Sequence, residues 1–95
     1  MPETRFRIRW PDGHVEDCYS PSTIIREHFT AGTRYPLQDF VARSRQALTE
    51  ASERVRARFG VGCSRAMGQL ARIEENAARF AQTPNASVLV ETLGP

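Results

Sequence analysis

The 95-residue chain is 40% hydrophobic and 25% charged, and its formal net charge is +2. These values are typical of one small globular domain spanning residues 1–95, and they exclude a coiled-coil rod, a disordered tail and a two-domain enzyme. All 13 basic residues are arginine, which excludes lysine chemistry, and so small a net charge does not indicate a polyanionic partner.

The first predicted element is a β-hairpin. From Thr4 to Trp10, arginines alternate with hydrophobic residues, which is the period of a strand with one buried face. Residues 11–13, Pro-Asp-Gly, supply the turn. In the favoured register, Glu16 lies among apolar neighbours, which is unfavourable for a carboxylate. The alternative is a register shifted by one residue, which places Val15 at that position instead. The favoured register pairs Trp10 with His14, Ile8 with Glu16, Phe6 with Cys18, Arg7 with Asp17 and Arg5 with Tyr19.

Three helices are predicted next. Ser20 followed by Pro21 is typical of a helix start, with Ser20 as the N-cap, and Gly32 ends this short first helix. In residues 35–59, apolar residues recur at three- and four-residue steps, which predicts a long second helix. The same spacing predicts a third helix within residues 62–81.

A final β-strand is predicted at residues 87–93, which are short and rich in β-branched side chains. The element order is then β-β-α-α-α-β. It predicts a two-layer α+β domain, in which a three-stranded, mostly antiparallel sheet packs against the helices and the last strand lies beside the first.

The second helix is long for a domain of this size. About 24 residues at about 1.5 Å each make a rod of about 36 Å, whereas a globule of this chain length is only about 32 Å across. We therefore expect the helix to extend beyond the core and to support homodimerisation or docking to another protein. The alternative is a bent helix that the third helix covers completely.

The chain carries no recognisable targeting or membrane segment. Residues 1–4 show no cationic stretch followed by an apolar run, and no stretch of about 18 apolar residues occurs. The sequence thus predicts a cytoplasmic protein without membrane contact, in which Cys18 and Cys63 are reduced thiols.

One triplet suggests metal binding. His14, Glu16 and Cys18 occupy alternate positions, so a regular strand projects them from one face, and His28 is a candidate fourth ligand. Paired ligands such as Cys-x-x-Cys do not accompany them. The favoured interpretation is therefore no metal site, with a turn-flanking His14, a solvated Glu16 and a small buried Cys18.

Cys63 suggests thiol chemistry. It lies at the predicted start of the third helix, and Arg65 adds positive charge, a setting that favours a thiolate. A nucleophile also needs a base, and the candidates are His14 and His28. Because nothing in the sequence places either histidine beside Cys63, a packed thiol is the favoured interpretation.

The arginines suggest a binding surface. Residues 40–60 contain five arginines against Glu50 and Glu53, a balance of +3, which fits a phosphate-tracking face. The spacing of Glu50 to Arg54 and of Glu53 to Arg56 also fits an ordinary salt-bridged helix face. No base-stacking aromatic pair, zinc finger or helix-turn-helix pattern is present, which argues against nucleic acid. The predicted partner surface consists of Arg5, Arg7, Arg9, Arg43, Arg45, Arg54 and Arg58.

Four collinear strings, RFRIRWPDG, EDCYSPSTIIREHF, YPLQDFVARSRQALTEASERVRARFGVGCS and QLARIE, identify a family. From residue 3 to about residue 81 the chain resembles small bacterial proteins of a nitrogen starvation response family. The resemblance implies a gene cluster with a nitrilase-like carbon–nitrogen hydrolase, a radical-SAM protein, an acetyltransferase, a synthetase-like protein and a flavin-dependent oxygenase. That cluster is linked to nitrogen scavenging and cyanide assimilation.

The resemblance implies no catalytic residue, and the chain has no glycine-rich phosphate loop or nucleophile elbow. We therefore expect a non-catalytic accessory or regulatory protein without a cofactor, which binds a protein encoded in the same cluster. One alternative is a small thiol- or metal-dependent protein that uses Cys63 or Cys18 with a histidine. A second alternative is a nucleic-acid-binding regulator that uses the arginine-rich face.

Overall fold

The computed structural model describes residues 3–94, so the first two residues and the last residue of the expected domain lie outside it. In this part of the chain, the four strands β1 (Thr4–Arg9), β2 (Val15–Ser20), β3 (Thr33–Pro36) and β4 (Ser87–Leu93) form one antiparallel sheet. Their order in the sheet is β2-β1-β4-β3. The α+β class and the position of the last strand beside the first are confirmed, whereas the prediction of three strands was wrong. The helices are α1 (Ile25–His28), between β2 and β3, and α2 (Leu37–Phe59) and α3 (Ser64–Ala78), between β3 and β4.

The hairpin of β1 and β2 has the favoured register, and the one-residue slip is excluded. The Trp10 carbonyl accepts a hydrogen bond from the Gly13 N–H at 2.8 Å, and Gly13 has φ 89°, a conformation that glycine adopts without strain. This turn fixes the pairing of the whole hairpin. The observed pairs include Phe6 with Cys18, Ile8 with Glu16, Arg7 with Asp17 and Arg5 with Tyr19.

Glu16 is half-buried and hydrogen-bonded, so the prediction of a solvated Glu16 was wrong. Its Oε1 accepts hydrogen bonds from Trp10 Nε1 at 2.9 Å and from Asn76 Nδ2 at 3.0 Å. These two donors compensate the carboxylate for the water that it loses. The residue that weakened the hairpin prediction therefore joins the hairpin to the end of α3.

The segment between β2 and α2 differs most from the prediction. Ser20 is the last residue of β2 and not a helix N-cap, and its Oγ donates to the Ser22 carbonyl at 2.9 Å. Only four residues, Ile25–His28, form the first helix. The missed strand, Thr33–Pro36, pairs with β4 at the sheet edge, where a proline and short length are tolerated.

The core lies between one face of the sheet and the helices, and aromatic rings form its centre. The Trp10 ring meets Phe40 edge-on, with centroids 5.7 Å apart, and stacks with Phe80 at 5.9 Å. Phe29 stacks with Phe40 at 5.3 Å. These contacts hold together the start of α2 and the residues that closely follow β1, α1 and α3.

The core ends before α2 does. The last buried residue of α2 is Ser52, although the helix continues to Phe59. The molecule measures 42 × 23 × 17 Å along its principal axes. The expected extension of the long helix beyond the core is therefore observed. We call residues 53–63 together with Met67 the tip, and residues 37–45 together with residues 74–80 the base.

No helix within residues 3–94 combines the length and the hydropathy that a membrane span requires.

Candidate functional site

The tip carries the exposed hydrophobic side chains of the molecule. Within residues 3–94, the large hydrophobic side chains that remain exposed are Phe59 at 64%, Val61 at 69% and Met67 at 39%. Single exposed hydrophobic residues are ordinary on protein surfaces, but a group of them marks an interaction site. All three lie where α2 turns into α3.

Local backbone chemistry fixes this turn. Gly60 ends α2 with φ 85°, and its N–H donates to the Arg56 carbonyl at 2.8 Å, as in a left-handed helix cap. Three residues later, the Cys63 N–H donates to Ser52 Oγ at 3.0 Å. A Cβ on Gly62 would lie only 2.8 Å from that same oxygen, so glycine is required for this close approach. The connection is therefore held against α2.

A cavity of about 420 Å³, which we call the tip cavity, opens beside the exposed residues, between the end of α2 and the start of α3. Its lining combines the apolar Met67 with polar groups of Ser52, Arg56 and Cys63. A cavity of this size next to an apolar surface can receive one side chain of a binding partner.

The charges of the tip are unevenly compensated. Arg56 forms an ion pair with Glu53, with Nε and Oε1 3.5 Å apart. Arg54 and Arg58 form no ion pair with any carboxylate of residues 3–94. The Arg58 guanidinium instead lies 5.9 Å from the centroid of the Phe59 ring. The tip thus presents apolar side chains beside two uncompensated positive charges.

Two other arginines of the predicted partner surface are part of the folded framework. Arg43 Nε donates to Asp39 at 3.0 Å, and its NH1 group donates to the His28 carbonyl at 2.9 Å. Arg45 donates twice to Glu74 Oε2, at 2.9 and 2.6 Å, and thereby joins α2 to α3. Both side chains are occupied by contacts within the protein.

The three arginines of β1 also have partners. On the open face of the sheet, Arg7 pairs with Asp17 at 2.8 Å and Arg9 pairs with Glu91 at 2.7 Å. Arg5 approaches Glu3 at 3.7 Å. Of the seven arginines predicted to form one partner surface, Arg54 and Arg58 therefore keep an uncompensated charge, and both lie at the tip.

The two thiols lie in different environments. Cys18 is 2% exposed, and burial raises the pKa of its thiol far above the ordinary value, so it stays protonated and unreactive. Cys63 is half-buried and lines the tip cavity, whose lining includes neither His14 nor His28. The structure does not bring a histidine into that cavity as a base.

The two histidines are held elsewhere. His14 is exposed after the hairpin turn, and its backbone N–H donates to Asp12 Oδ1 at 2.9 Å. His28 Nε2 lies 3.7 Å from Glu50 Oε1 on α2. Across the residues that the structure describes, no three His, Cys, Asp or Glu side chains are grouped to hold a metal ion.

Sequence reasoning missed the exposed residues of the tip. Phe59 continues the apolar spacing of α2, and the spacing alone does not show that the neighbouring helix begins too late to cover it. One signal was available. The run Phe59-Gly60-Val61-Gly62 places two large hydrophobic residues in a helix connection, where polar residues are usual.

Comparison with known proteins identifies the family. A family model described as nitrogen starvation-induced protein NitG matches residues 5–93. No curated protein and no solved structure is significantly similar to the chain. Because the match covers nearly the whole sequence, the protein belongs to the NitG family of nitrogen starvation-induced proteins.

Proposed function

We propose that the protein is a non-catalytic accessory in the response to nitrogen starvation, and that it acts by docking its tip onto an acidic surface of a partner protein. The observation that carries this proposal is the grouping of Phe59, Val61 and Met67, all exposed, beside the uncompensated charges of Arg54 and Arg58. Aromatic residues and arginine dominate the energetic centres of protein interfaces.

Charge indicates the kind of partner. Arg54 and Arg58 lie four residues apart, hence on one side of α2, and neither forms an ion pair with residues 3–94. Carboxylates around an apolar patch would complement this surface, while the tip cavity receives one partner side chain. From the family resemblance, we propose that the partner is encoded in the same gene cluster as this protein.

A second copy of the chain fits the tip less well. A two-fold dimer through this surface would bring the same patch of both copies together. Arg54 and Arg58 of one copy would then face those of the other, and like charges in an interface oppose association.

Nucleic acid also fits less well. The arginines of the open sheet face already have carboxylate partners, such as Asp17 for Arg7 and Glu91 for Arg9. Binding of phosphates there would require these ion pairs to be given up. At the tip, the apolar surface of Phe59 and Val61 has no counterpart in a phosphate backbone.

The test begins by using this chain as bait to capture proteins from nitrogen-starved cells. It continues by measuring the affinity of the purified partner for variants of this chain. We expect Phe59→Ser to weaken binding at least about tenfold, as at an interface hot spot. We expect Arg58→Glu to weaken binding and to reduce its dependence on salt. Arg79→Glu is the matched control, because Arg79 is an exposed arginine on the far side of the molecule from the tip.

Three outcomes would overturn the proposal. The first is equal affinity of the Phe59→Ser, Arg58→Glu and Arg79→Glu proteins for the partner. The second is a dimer, detected by light scattering, that dissociates on Phe59→Ser. The third is salt-dependent binding to an oligonucleotide that Arg7→Ala abolishes and Phe59→Ser leaves unchanged.

A further inference from the structure

A second cavity lies on the other side of α3, between this helix and strand β2. It measures about 280 Å³ and is lined by Tyr19 from β2 and by Ser64, Arg65, Gly68 and Arg72 from α3. We call it the α3–β2 cavity. The spacing of residues 65, 68 and 72 brings their side chains to one face of the helix, whereas Cys63 and Met67 of the tip cavity lie on the opposite face.

The lining of the α3–β2 cavity is positively charged. Arg65 and Arg72 contribute two guanidinium groups, and no acidic residue is among the described residues that line it. Neither arginine forms an ion pair with a carboxylate of residues 3–94. By contrast, Glu53 lines the tip cavity, and a further cavity on the open face of the sheet is lined by Asp17 together with Arg5 and Arg7. Two guanidinium groups without a counterion are a natural site for an oxyanion.

Contacts within the protein orient these guanidinium groups without neutralising them. The Arg65 Cζ lies 3.9 Å from the centroid of the Tyr19 ring, the distance of a cation–π contact. Arg72 NH2 lies 3.4 Å from Gln69 Oε1, which also accepts the Tyr19 N–H at 3.0 Å. Each guanidinium group keeps further N–H donors for a ligand, because it has five in all.

Gln69 lies behind the lining of the α3–β2 cavity. It is 1% exposed, yet its Nε2 has no hydrogen-bond acceptor among residues 3–94. Its amide group lies against Tyr19 and Arg72, which both line the cavity. Gln69 is not itself among the residues that line the cavity, so its role there is to hold Arg72 from behind through Oε1.

Space and further donors are also present. Gly68 has no side chain, and a Cβ there would lie 3.8 Å from Arg72 NH1, so a longer side chain would occupy the cavity. The hydroxyl group of Ser64 lies at the first residue of α3, where backbone N–H groups are free and the first turn contains no acidic residue.

We propose that the α3–β2 cavity binds a phosphate group, held by Arg65 and Arg72 together with Ser64. Its volume is at the lower limit of small-molecule sites, so the ligand is inorganic phosphate or a phosphate group that carries few further atoms. The cavity shares Ser64 with the tip cavity, but its key residue, Arg72, lies five residues beyond Met67 and on a different face of α3.

The proposal is tested by amide NMR titration of the full chain with inorganic phosphate, with glycerol phosphate and with chloride, all at one ionic strength. We expect saturable shifts at residues 64–72 with phosphate or glycerol phosphate and none with chloride. Arg72→Gln should weaken the binding at least about tenfold, as for loss of a charge-assisted contact. Arg54→Gln, an equal charge change at the tip, should leave the binding unchanged.

A second variant protects the test against a loss of folding. Gly68→Leu keeps both arginines, fills the cavity and is favoured by helix propensity, so it should fold and lose binding. Tighter binding of glycerol phosphate than of phosphate would indicate a phosphorylated ligand, whereas equal binding would indicate phosphate itself. The proposal is overturned if chloride reproduces the shifts, if Gly68→Leu still binds, or if Arg54→Gln and Arg72→Gln weaken binding equally.

Discussion

The two ends of the α2–α3 hairpin use the same residue types in opposite ways. At the base, Phe40 is fully buried between Trp10 and Phe29, and Arg45 donates twice to Glu74. At the tip, Phe59 is exposed and Arg58 pairs with no carboxylate of residues 3–94. At the base, contacts within the fold therefore occupy the aromatic ring and the guanidinium group. At the tip, the same two kinds of group remain available for binding.

The largest expected difference is between the rates at which the two thiols, Cys18 and Cys63, react with a thiol reagent. In the native protein at pH 8, we expect a thiol reagent to modify Cys63 readily and to reach Cys18 only through unfolding. Burial removes access to Cys18 and raises its pKa above the ordinary value, so its thiolate is scarce at every pH below that raised pKa. Modification should be slower at Cys18 by about 10³-fold or more, the scale of a folding equilibrium constant.

Mass spectrometry of the labelled protein measures both rates. Cys18→Ser and Cys63→Ser variants assign each rate to its residue. Comparable native-state rates for the two thiols would show that burial in the core does not protect Cys18.

The second contrast compares two phenylalanines of one helix. Phe40→Ala should lower the free energy of unfolding by about 3–5 kcal/mol, because it leaves a cavity among Trp10, Phe29 and their neighbours. Phe59→Ala should change it by less than about 0.5 kcal/mol, since that ring is exposed. Urea unfolding of the two variants measures the difference. A large loss in Phe59→Ala would mean that the tip ring stabilises the fold.

The third contrast compares two glutamates. Glu16→Ala should lower the free energy of unfolding by about 1–3 kcal/mol, because the Trp10 and Asn76 donors lose their common acceptor. Glu53→Ala at the tip should cost less than about 0.5 kcal/mol, because its ion pair with Arg56 is exposed. Thermal unfolding checks both values, and Glu16→Gln, which keeps one acceptor oxygen, should recover part of the loss.

The smallest contrast compares two arginines. Arg45→Ala should lower the free energy of unfolding by about 0.2–1 kcal/mol, the range of a solvent-accessible ion pair. Arg54→Ala should leave the free energy of unfolding unchanged within error. Urea titration in low and in high salt measures the difference, which should shrink as salt rises. If the two variants lose equal stability, the division of the arginines between base and tip is wrong.

The sequence predicted the hairpin well because the Pro-Asp-Gly turn fixes its register locally. It missed β3 because Thr33–Pro36 is short, contains proline and becomes a strand only by pairing with β4, more than 50 residues away. It extended the first helix too far because Ser20-Pro21 has the composition of a helix start, whereas Ser20 pairs with Thr4 across the sheet.

The candidate site was predicted only in part, because pairing partners distant in sequence decide which arginines stay free. Arg45 and Arg58 are equivalent in the sequence, and only the packing of α3 brings Glu74 to Arg45. Exposure of Phe59 likewise depends on where α3 begins, at Ser64, and not on the spacing within α2.

The docking role of the tip is tested most directly by growth on limiting nitrogen of cells whose own copy is deleted and replaced by variants. The decisive variant combines Phe59→Ser with Val61→Ser, and its unfolding curve is first shown to match that of the unchanged protein. We predict that this variant fails to restore growth, whereas Arg79→Glu restores it fully. Full growth with the correctly folded double variant would contradict a function of the tip.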